Sequence, residues 1–268
     1  MKISVNTQGL AEMKLRLAGL ERKIKVATKA ALNDAAFIGA KKTAEKVAAV
    51  FDRPTPWVRG SVRYKKATAD KLEASIDFDK WGNKTGVTVE HVLRAEIFGG
   101  RRRLKRHEVA LQRSGVLPQG WAIVPGEAAD MDQFGNMSAG QIRQILSWFN
   151  AAKMTSGHDG NMTDKTRKSR RLGTRSSAGF EYFVVPVGAR RTWQRGNGKT
   201  GSHAMQPGIY KRFFLGHGTA IKPIMIFVKI PTYSKRLDFY EIVQRSSIPE
   251  FERAFNRYAE QFIKERSI

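Results

Sequence analysis

Residues 9–51 read GLAEMKLRLAGLERKIKVATKAALNDAAFIGAKKTAEKVAAVF, and this stretch decides the fold. Apolar side chains recur in it every three or four positions, at Leu10, Met13, Leu17, Leu20, Ile24, Ala27, Ala31, Ala35 and Ile38. That spacing is typical of one face of an amphipathic helix, and lysine and arginine occupy much of the other faces. Pro54 and Pro56 end the pattern, because proline lacks a backbone donor and restricts the residue before it. We predict a helix from Gly9 to Phe51, about 60 Å long, that serves packing or assembly.

Composition indicates a globular protein with an anionic partner. The chain has 268 residues, of which 41% are hydrophobic, so it can bury a substantial core. Lys and Arg total 48 against 24 Asp and Glu, and a net charge of +24 favours a polyanion or acidic protein surfaces, although it could simply aid solubility. The absence of cysteine excludes disulfides and thiolate metal sites and favours a reducing compartment. No apolar run has the length of a signal peptide or a membrane span, so we expect no membrane association.

The rest of the chain predicts strands between helices. Alternating runs at 58–65 and 72–78 indicate an antiparallel hairpin, and 87–97 indicates an extended segment that becomes helical. Further predicted elements are strands at 2–6, 121–124, 180–187, 210–215 and 224–230, and helices at 104–111, 139–152 and 238–268. Ser138 and Gln141 resemble a capping box. We expect one α+β domain over 1–268: a mainly antiparallel twisted sheet packed on the long N-terminal helix and a C-terminal helix, with basic loop insertions.

The middle of the chain differs from its surroundings. Residues 155–177 are rich in glycine, lysine and arginine and contain almost no large apolar side chain. A second glycine-rich basic loop follows at 188–201. Such segments cannot bury enough surface to fold alone. We predict a basic and flexible insertion at about 153–203 that becomes ordered against acidic neighbouring subunits or against DNA.

No stretch carries a catalytic signature. The five histidines form no metal-binding pair, and His107-Glu108 lies in a basic helix where a surface role is the better interpretation. Asp130 and Asp132 with Glu127 indicate a solvated turn rather than a metal cluster. The sequence around Gly198-Lys199 lacks the glycine spacing of a phosphate loop. We predict no enzymatic activity, no catalytic or metal-binding residue and no cofactor.

The basic segments are the remaining candidate site. The residues proposed to contact a partner are Arg101, Arg102, Arg103, Lys105, Arg106, Arg167, Lys168, Arg170, Arg171, Arg190, Arg191, Trp193 and Arg195. They could contact phosphates, and Trp193 could stack on a base. They could equally meet acidic patches on neighbouring protein subunits. Protein contacts are favoured, because no recognised nucleic-acid-binding motif accompanies these residues.

Three stretches resemble a known family. The run Ala30-Ala31-Leu32-Asn33-Asp34-Ala35 with the exit Phe51-Asp52-Arg53-Pro54-Thr55-Pro56-Trp57 is similar to tailed-phage minor tail protein Z and tail-completion proteins. The pair GGRRRLKRHE at 99–108 and DQFGNMSAGQI at 132–142 looks like virion proteins from phage morphogenesis clusters. A late strand, IFVKIP at 226–231, followed by a terminal helix also fits the tail-completion pattern.

This resemblance implies a structural protein of the bacteriophage virion. The implied role is a neck, tail-completion or proximal-tail component that forms a homo-oligomeric ring between the portal side and the tail. Six copies is the favoured count and twelve the next. Implied partners are portal or adaptor proteins and tail proteins, with possible contact with phage DNA, after assembly in the bacterial cytoplasm. The alternatives are a phage accessory protein that binds DNA or RNA through the basic loops and, more distantly, a metal-dependent nuclease.

Overall fold

The computed structural model describes residues 8–79, 86–152, 160–194, 200–215 and 218–264, and it confirms the α+β class. The chain divides into two compact units, and the prediction of one domain over 1–268 stays a prediction. The first unit contains Met1–Gly100 and Ser234–Ile268, and the second contains Arg101–Tyr233. The strand predicted at 2–6 lies outside the described residues.

The first unit is built on two long helices that pack along each other. Its elements are α1 (Gln8–Val50), α2 (Pro56–Arg59), β1 (Val62–Lys65), β2 (Ser75–Phe78), α3 (Val89–Phe98) and α7 (Phe239–Lys264). The long helix α1 is therefore confirmed within one residue at each end. The predicted hairpin is also present, with β1 and β2 antiparallel and Val62 opposite Phe78. Helix α3 shows that the extended start predicted for 87–97 is wrong beyond Thr88, whose hydroxyl caps the helix by accepting from the His91 N–H.

Small residues in the middle of α1 allow α7 to pack closely. Ala27, Ala31 and Ala35 are almost completely buried, as the apolar stripe predicts. Gly39 has a packing reason as well, because a Cβ there would lie 2.1 Å from the Ser247 hydroxyl oxygen. That hydroxyl donates to the Ala35 carbonyl at 3.1 Å. A side chain at position 39 would therefore displace the Ser247 hydroxyl and the Ile76 side chain, whose Cδ1 would lie 2.6 Å from the new Cβ.

The Asn33-Asp34 pair anchors other segments to α1. The Asn33 amide accepts from the Ala67 N–H at 2.7 Å and donates to the Ala67 carbonyl at 3.4 Å, which holds the loop of the β1–β2 hairpin. The Asp34 carboxylate accepts from Arg257 at 2.7 Å and from the Tyr258 hydroxyl at 2.9 Å, both on α7. Two consecutive polar residues thus fix the hairpin and the last helix to the same turn of α1.

The second unit contains a four-stranded antiparallel sheet with order β4-β9-β8-β5. Its elements are β3 (Gly100–Arg101, which begins one residue before the unit), α4 (Arg106–Arg113), β4 (Trp121–Pro125), α5 (Ala139–Trp148), α6 (Asp164–Leu172), β5 (Gly179–Val185), β6 (Arg190–Gln194), β7 (Thr200–Ala204), β8 (Gly208–Leu215), β9 (Gly218–Lys229) and β10 (Thr232–Tyr233). Leu111 from α4, Ile145 from α5 and Phe227 from β9 belong to one buried cluster. The helices and the sheet of this unit therefore share one core.

Helix α5 ends four residues before the predicted Ala152 because the chain turns at Asn150. This residue has a φ of +57°, and the Ala151 N–H bonds to the Leu146 carbonyl at 2.8 Å, as in a Schellman motif. Ser138 caps the start of α5, as predicted. Gln141 does not complete a capping box, since its side-chain oxygen accepts from the Asp130 N–H at 2.9 Å.

The basic middle of the chain contains regular structure that the sequence did not predict. Helix α6 forms 9 residues of the segment expected to be a loop or arm, and Thr163 caps it by accepting from the Thr166 N–H. The loop expected at 188–201 contains the antiparallel pair β6–β7, with Arg190 opposite Ala204. Residues 153–159 and 195–199, on which part of the flexibility prediction falls, lie outside the described residues.

Candidate interaction surface

The predicted contact residues all belong to the second unit, but the structure gives them different roles. Arg195 lies outside the described residues, as do the side chains of Arg191 and Trp193, whose backbone forms part of β6. Arg190 starts the same strand and is exposed. The remaining candidates form two groups, one at the start of α4 and one on α6.

Arg102 is a structural residue rather than a free contact. Its guanidinium forms two bonds with the Glu108 carboxylate, at 2.6 and 2.8 Å. Glu108 is completely buried, so the interpretation of this residue as surface is wrong. The carboxylate also accepts from the backbone N–H groups of Ile123 at 2.7 Å and Lys105 at 2.6 Å. Glu108 therefore connects the start of α4 to strand β4.

Burial and nearby charged groups shift the pKa values of Glu108 and His107. Burial by itself would raise the pKa of Glu108, but the bonds from Arg102, Ile123 and Lys105 lower it below the ordinary value. Burial lowers the pKa of His107 to about 4, and the charge of Lys105 contributes to this shift. His107 is consequently neutral at physiological pH, and the charge of this segment comes from its arginines and Lys105.

The other predicted contact residues at the start of α4 lie on the surface. Arg101, Arg103, Lys105 and Arg106 are exposed. Their prediction as partner contacts stays open, whereas Arg102 is removed from that set by its ion pair.

Arg167 on α6 caps the C-terminal end of α5. Its guanidinium donates two bonds to the Trp148 carbonyl, at 3.1 and 2.9 Å, and one to the Asn150 side chain at 2.5 Å. Asp164 accepts a further bond at 2.7 Å. The last carbonyls of a helix have no partner within the helix and attract cations. Arg167 therefore stabilises the junction between α5 and α6.

Arg171 is held by a carboxylate on the sheet. Glu181 on β5 lies 3.0 Å from the Arg171 guanidinium and 2.7 Å from that of Arg212 on β8. Arg171 also lies over the Phe214 ring, 5.4 Å from its centroid. One carboxylate thus partly balances two arginines and fixes the C-terminal end of α6 to the sheet.

Two glycines permit this close approach of α6 to β5. A Cβ at Gly179 would lie 1.9 Å from the Arg171 carbonyl oxygen, and one at Gly173 would lie 2.4 Å from the Gly179 nitrogen. Gly173 also has a φ of +73°, which glycine tolerates best. The backbone contact between helix and strand leaves no space for a side chain at either position.

We expect Gly179→Ala to lower the free energy of unfolding by about 1–3 kcal/mol, because the backbone must move to admit the methyl group. Urea denaturation followed by circular dichroism measures this change. Gly140→Ala in α5 is the matched control, since a Cβ there meets nothing within 4 Å and alanine favours a helix. Equal stability of the two variants would show that α6 does not depend on this contact.

Lys168 and Arg170 are the predicted residues of α6 that stay exposed without a carboxylate partner among the described residues. Arg170 lies over the Phe180 ring, 5.9 Å from its centroid. Lys211 of β8 lies over the same ring at 4.1 Å. Lys211, Phe180 and Phe213 were absent from the predicted set, because only the pairing of β5 with β8 brings them together.

The acidic residues form no metal site in the part of the chain that the structure describes. No group of three potential ligands there could hold an ion. Asp132 instead organises a turn by accepting from the N–H groups of Phe134 at 2.9 Å and Asn136 at 2.8 Å.

Within the described ranges, no helix is both long and apolar enough to cross a bilayer. Comparison of the chain with protein-family models, curated proteins and solved structures finds no match.

Proposed function

We propose that this chain is a structural, non-catalytic protein of a tailed-phage virion that assembles as a ring at the head–tail junction or in the proximal tail. The resemblance of the Ala-Leu-Asn segment and the 99–142 region to tail-completion proteins suggests this role. The structural observation that carries the proposal is the length of α1 relative to the helix that covers it.

Helix α1 is longer than α7, the helix that packs against it. With 43 residues it is about 65 Å long, whereas the 26 residues of α7 span about 39 Å. The two helices run in opposite directions: Arg236, just before α7, donates to the carbonyl of Val50, and Phe262 near the other end lies over Lys23. Lys23 is thus near the C-terminal end of α7, and the 15 residues of α1 before it, residues 8–22, span roughly 22 Å.

Two residues of the apolar stripe are exposed near this end of α1. Leu20 and Ile24 belong to the predicted stripe, yet they are 46% and 48% exposed in the single chain. The side chains of Leu10, Met13 and Leu17 lie outside the described residues. Isolated helical segments of this length are marginally stable in water, and an exposed apolar face is stabilised by packing on a partner. Head-to-tail packing between identical subunits is the arrangement that closes into a ring.

Replacing Leu20 and Ile24 together with serine tests the proposal. Burying the exposed part of two such side chains contributes about 2–3 kcal/mol, so the double variant should bind its neighbours about 100-fold more weakly. Native mass spectrometry of the purified protein should show a ring for the parent chain, with six or twelve subunits expected, and monomers for the variant. The control is Val92→Ser on α3, which is 50% exposed and lies off the stripe.

A parent chain that remains monomeric, alone and with portal and tail proteins present, would contradict the ring. Rings that persist in the Leu20 and Ile24 variant would show that this face is not the interface.

A second candidate function, a DNA- or RNA-binding accessory protein, is favoured by the exposed cations of α6 and of the α4 start. Strongly salt-dependent binding of free duplex by monomers, with no assembly, would support that function instead.

A further inference from the structure

One lysine of the second unit lies on the core side of the sheet. Lys211 of β8 is directly opposite Tyr182 of β5. The next pair on the same face of the sheet is Phe213 opposite Phe180. The Lys211 ammonium lies 4.1 Å from the Phe180 ring centroid, 4.8 Å from that of Phe213 and 5.8 Å from that of Tyr182. Three aromatic rings thus surround a single half-buried cation.

A second cation approaches the same rings from α6. The Arg170 guanidinium carbon lies 5.9 Å from the Phe180 centroid. Trp148 of α5 stacks on Phe180 at 6.2 Å and meets Tyr182 edge-on at 5.7 Å. The Tyr182 hydroxyl is bonded to Gln144 at 2.7 Å, so these rings are held in place from the α5 side.

Among the described residues, no carboxylate lies within ion-pair distance of either cation. Neither Arg170 nor Lys211 forms an ion pair with any described residue, whereas nearby Arg171 and Arg212 share Glu181. Burial lowers the pKa of Lys211 below its ordinary value, while Asp130 raises it and Arg170 lowers it further. Asp130 attracts Lys211 more strongly than Arg170 repels it, but Asp130 is exposed and forms no ion pair with either cation. Arg170 and Lys211 each lie over the Phe180 ring, and the Arg170 charge acts on Lys211, so an anion that contacts both cations would be stabilised.

The surroundings of this pair favour a nucleotide over a protein carboxylate. Phe180 and Phe213 are half-buried, so part of the aromatic surface next to the cations stays accessible. A phosphodiester presents two charged oxygens to two cations, and its attached sugar and base can pack on a neighbouring ring. Lys165 and Lys168 are exposed on α6, the helix that carries Arg170, so they add positive charge for a bound nucleic acid strand.

We propose that Arg170 and Lys211 bind one backbone phosphate of a nucleic acid strand, with Phe213 contacting the adjoining sugar or base. Aromatic rings position the Lys211 ammonium, and the backbone contact of α6 with β5 positions Arg170. This inference does not depend on ring formation by α1, because every residue it uses belongs to the second unit. The oligomerisation test and the test below can therefore fail separately.

The test measures binding of a fluorescein-labelled 20-nucleotide oligothymidine to the full chain by anisotropy, from 50 to 300 mM KCl. The double variant Arg170→Gln with Lys211→Met should bind about ten-fold more weakly at low salt. Its slope of log affinity against log salt should fall by about 0.7, the value for one lost phosphate contact with a single strand. Methionine keeps much of the apolar stem that covers Phe180, so the fold should be retained, which circular dichroism checks.

Lys165→Gln with Lys168→Gln is the matched control, because it removes the same two charges from exposed positions of α6. Equal weakening by both double variants would show diffuse attraction and overturn the assignment. Phe213→Leu should weaken oligothymidine binding more than it weakens inhibition by inorganic phosphate, which separates a nucleotide site from a site for free phosphate. Displacement of oligothymidine by polyglutamate at equal charge concentration, or no binding by the parent chain at 50 mM KCl, would also overturn it.

Discussion

Replacing Glu108 with leucine is expected to lower the free energy of unfolding of the second unit by about 3–5 kcal/mol. The substitution leaves the Arg102 guanidinium without its carboxylate in a setting where its side chain is only 17% exposed. It also removes the acceptor of the Ile123 and Lys105 N–H groups. Loss of one partner of a buried ion pair costs far more than loss of an exposed one, because the remaining charge stays desolvated.

Urea denaturation gives the overall change, and hydrogen exchange at the Ile123 amide gives the local one. Glu127→Leu is the matched control, since Glu127 is an exposed glutamate of the same unit and should change stability by less than about 0.5 kcal/mol. The double variant Arg102→Met with Glu108→Leu should recover part of the loss, because no charge is then buried unpaired. Similar effects of Glu108→Leu and Glu127→Leu would mean that the buried pair does not support the fold.

Acidification from pH 6.5 to pH 4 is expected to destabilise the second unit by about 2–3 kcal/mol through His107 alone. The pKa of His107 is lowered to about 4 in the folded chain by burial, with help from the charges of Lys105 and Arg102 and against that of Glu108. The unfolded chain therefore binds a proton between pH 6.5 and pH 4 that the folded chain does not. The stabilisation that His107 contributes is fully present above its unfolded pKa of 6.5. It is lost as the pH falls toward the folded pKa of about 4.

His107→Gln should flatten this part of the stability profile, measured as urea midpoints at half-unit pH steps. Glu108, whose folded pKa is also lowered, contributes stability above its unfolded pKa near 4.5 and loses it only as the pH falls further. The variant should therefore still lose stability below about pH 4.5. An unchanged slope between pH 6.5 and pH 4.5 in His107→Gln would show that other groups cause the acid sensitivity.

The sequence predicts best where structure depends on consecutive residues. Helix α1 could be located within one residue at each end because its apolar spacing and the following prolines are local properties. Helix α6 could not, because its one large apolar residue, Leu172, is 85% exposed. It is held instead by Arg167 at the end of α5 and Arg171 at Glu181, partners roughly ten to twenty positions away.

The candidate site was predictable in kind but not in detail. The arginines at 101–103 indicate a charged surface, yet the sequence does not show that Arg102 is the one that turns inward to pair with Glu108. Glu108 lies three residues after Lys105, the N-cap of α4, a position that could have indicated its bond to the Lys105 N–H. Its contact with Ile123 and the meeting of Lys211 with Phe180 arise from long-range packing and strand register, which one-dimensional patterns do not contain.

The discontinuity of the first unit sets an order of events during synthesis. Helix α1 needs α7 to cover its buried alanines, and roughly 190 residues separate the end of one helix from the start of the other. At about 5–20 residues per second, a ribosome takes roughly 10–40 s to bridge that interval. The second unit is continuous, so it can fold on the nascent chain while the alanine face of α1 is still unpaired. Chaperone dependence of this protein should therefore concentrate on α1 and end when α7 emerges.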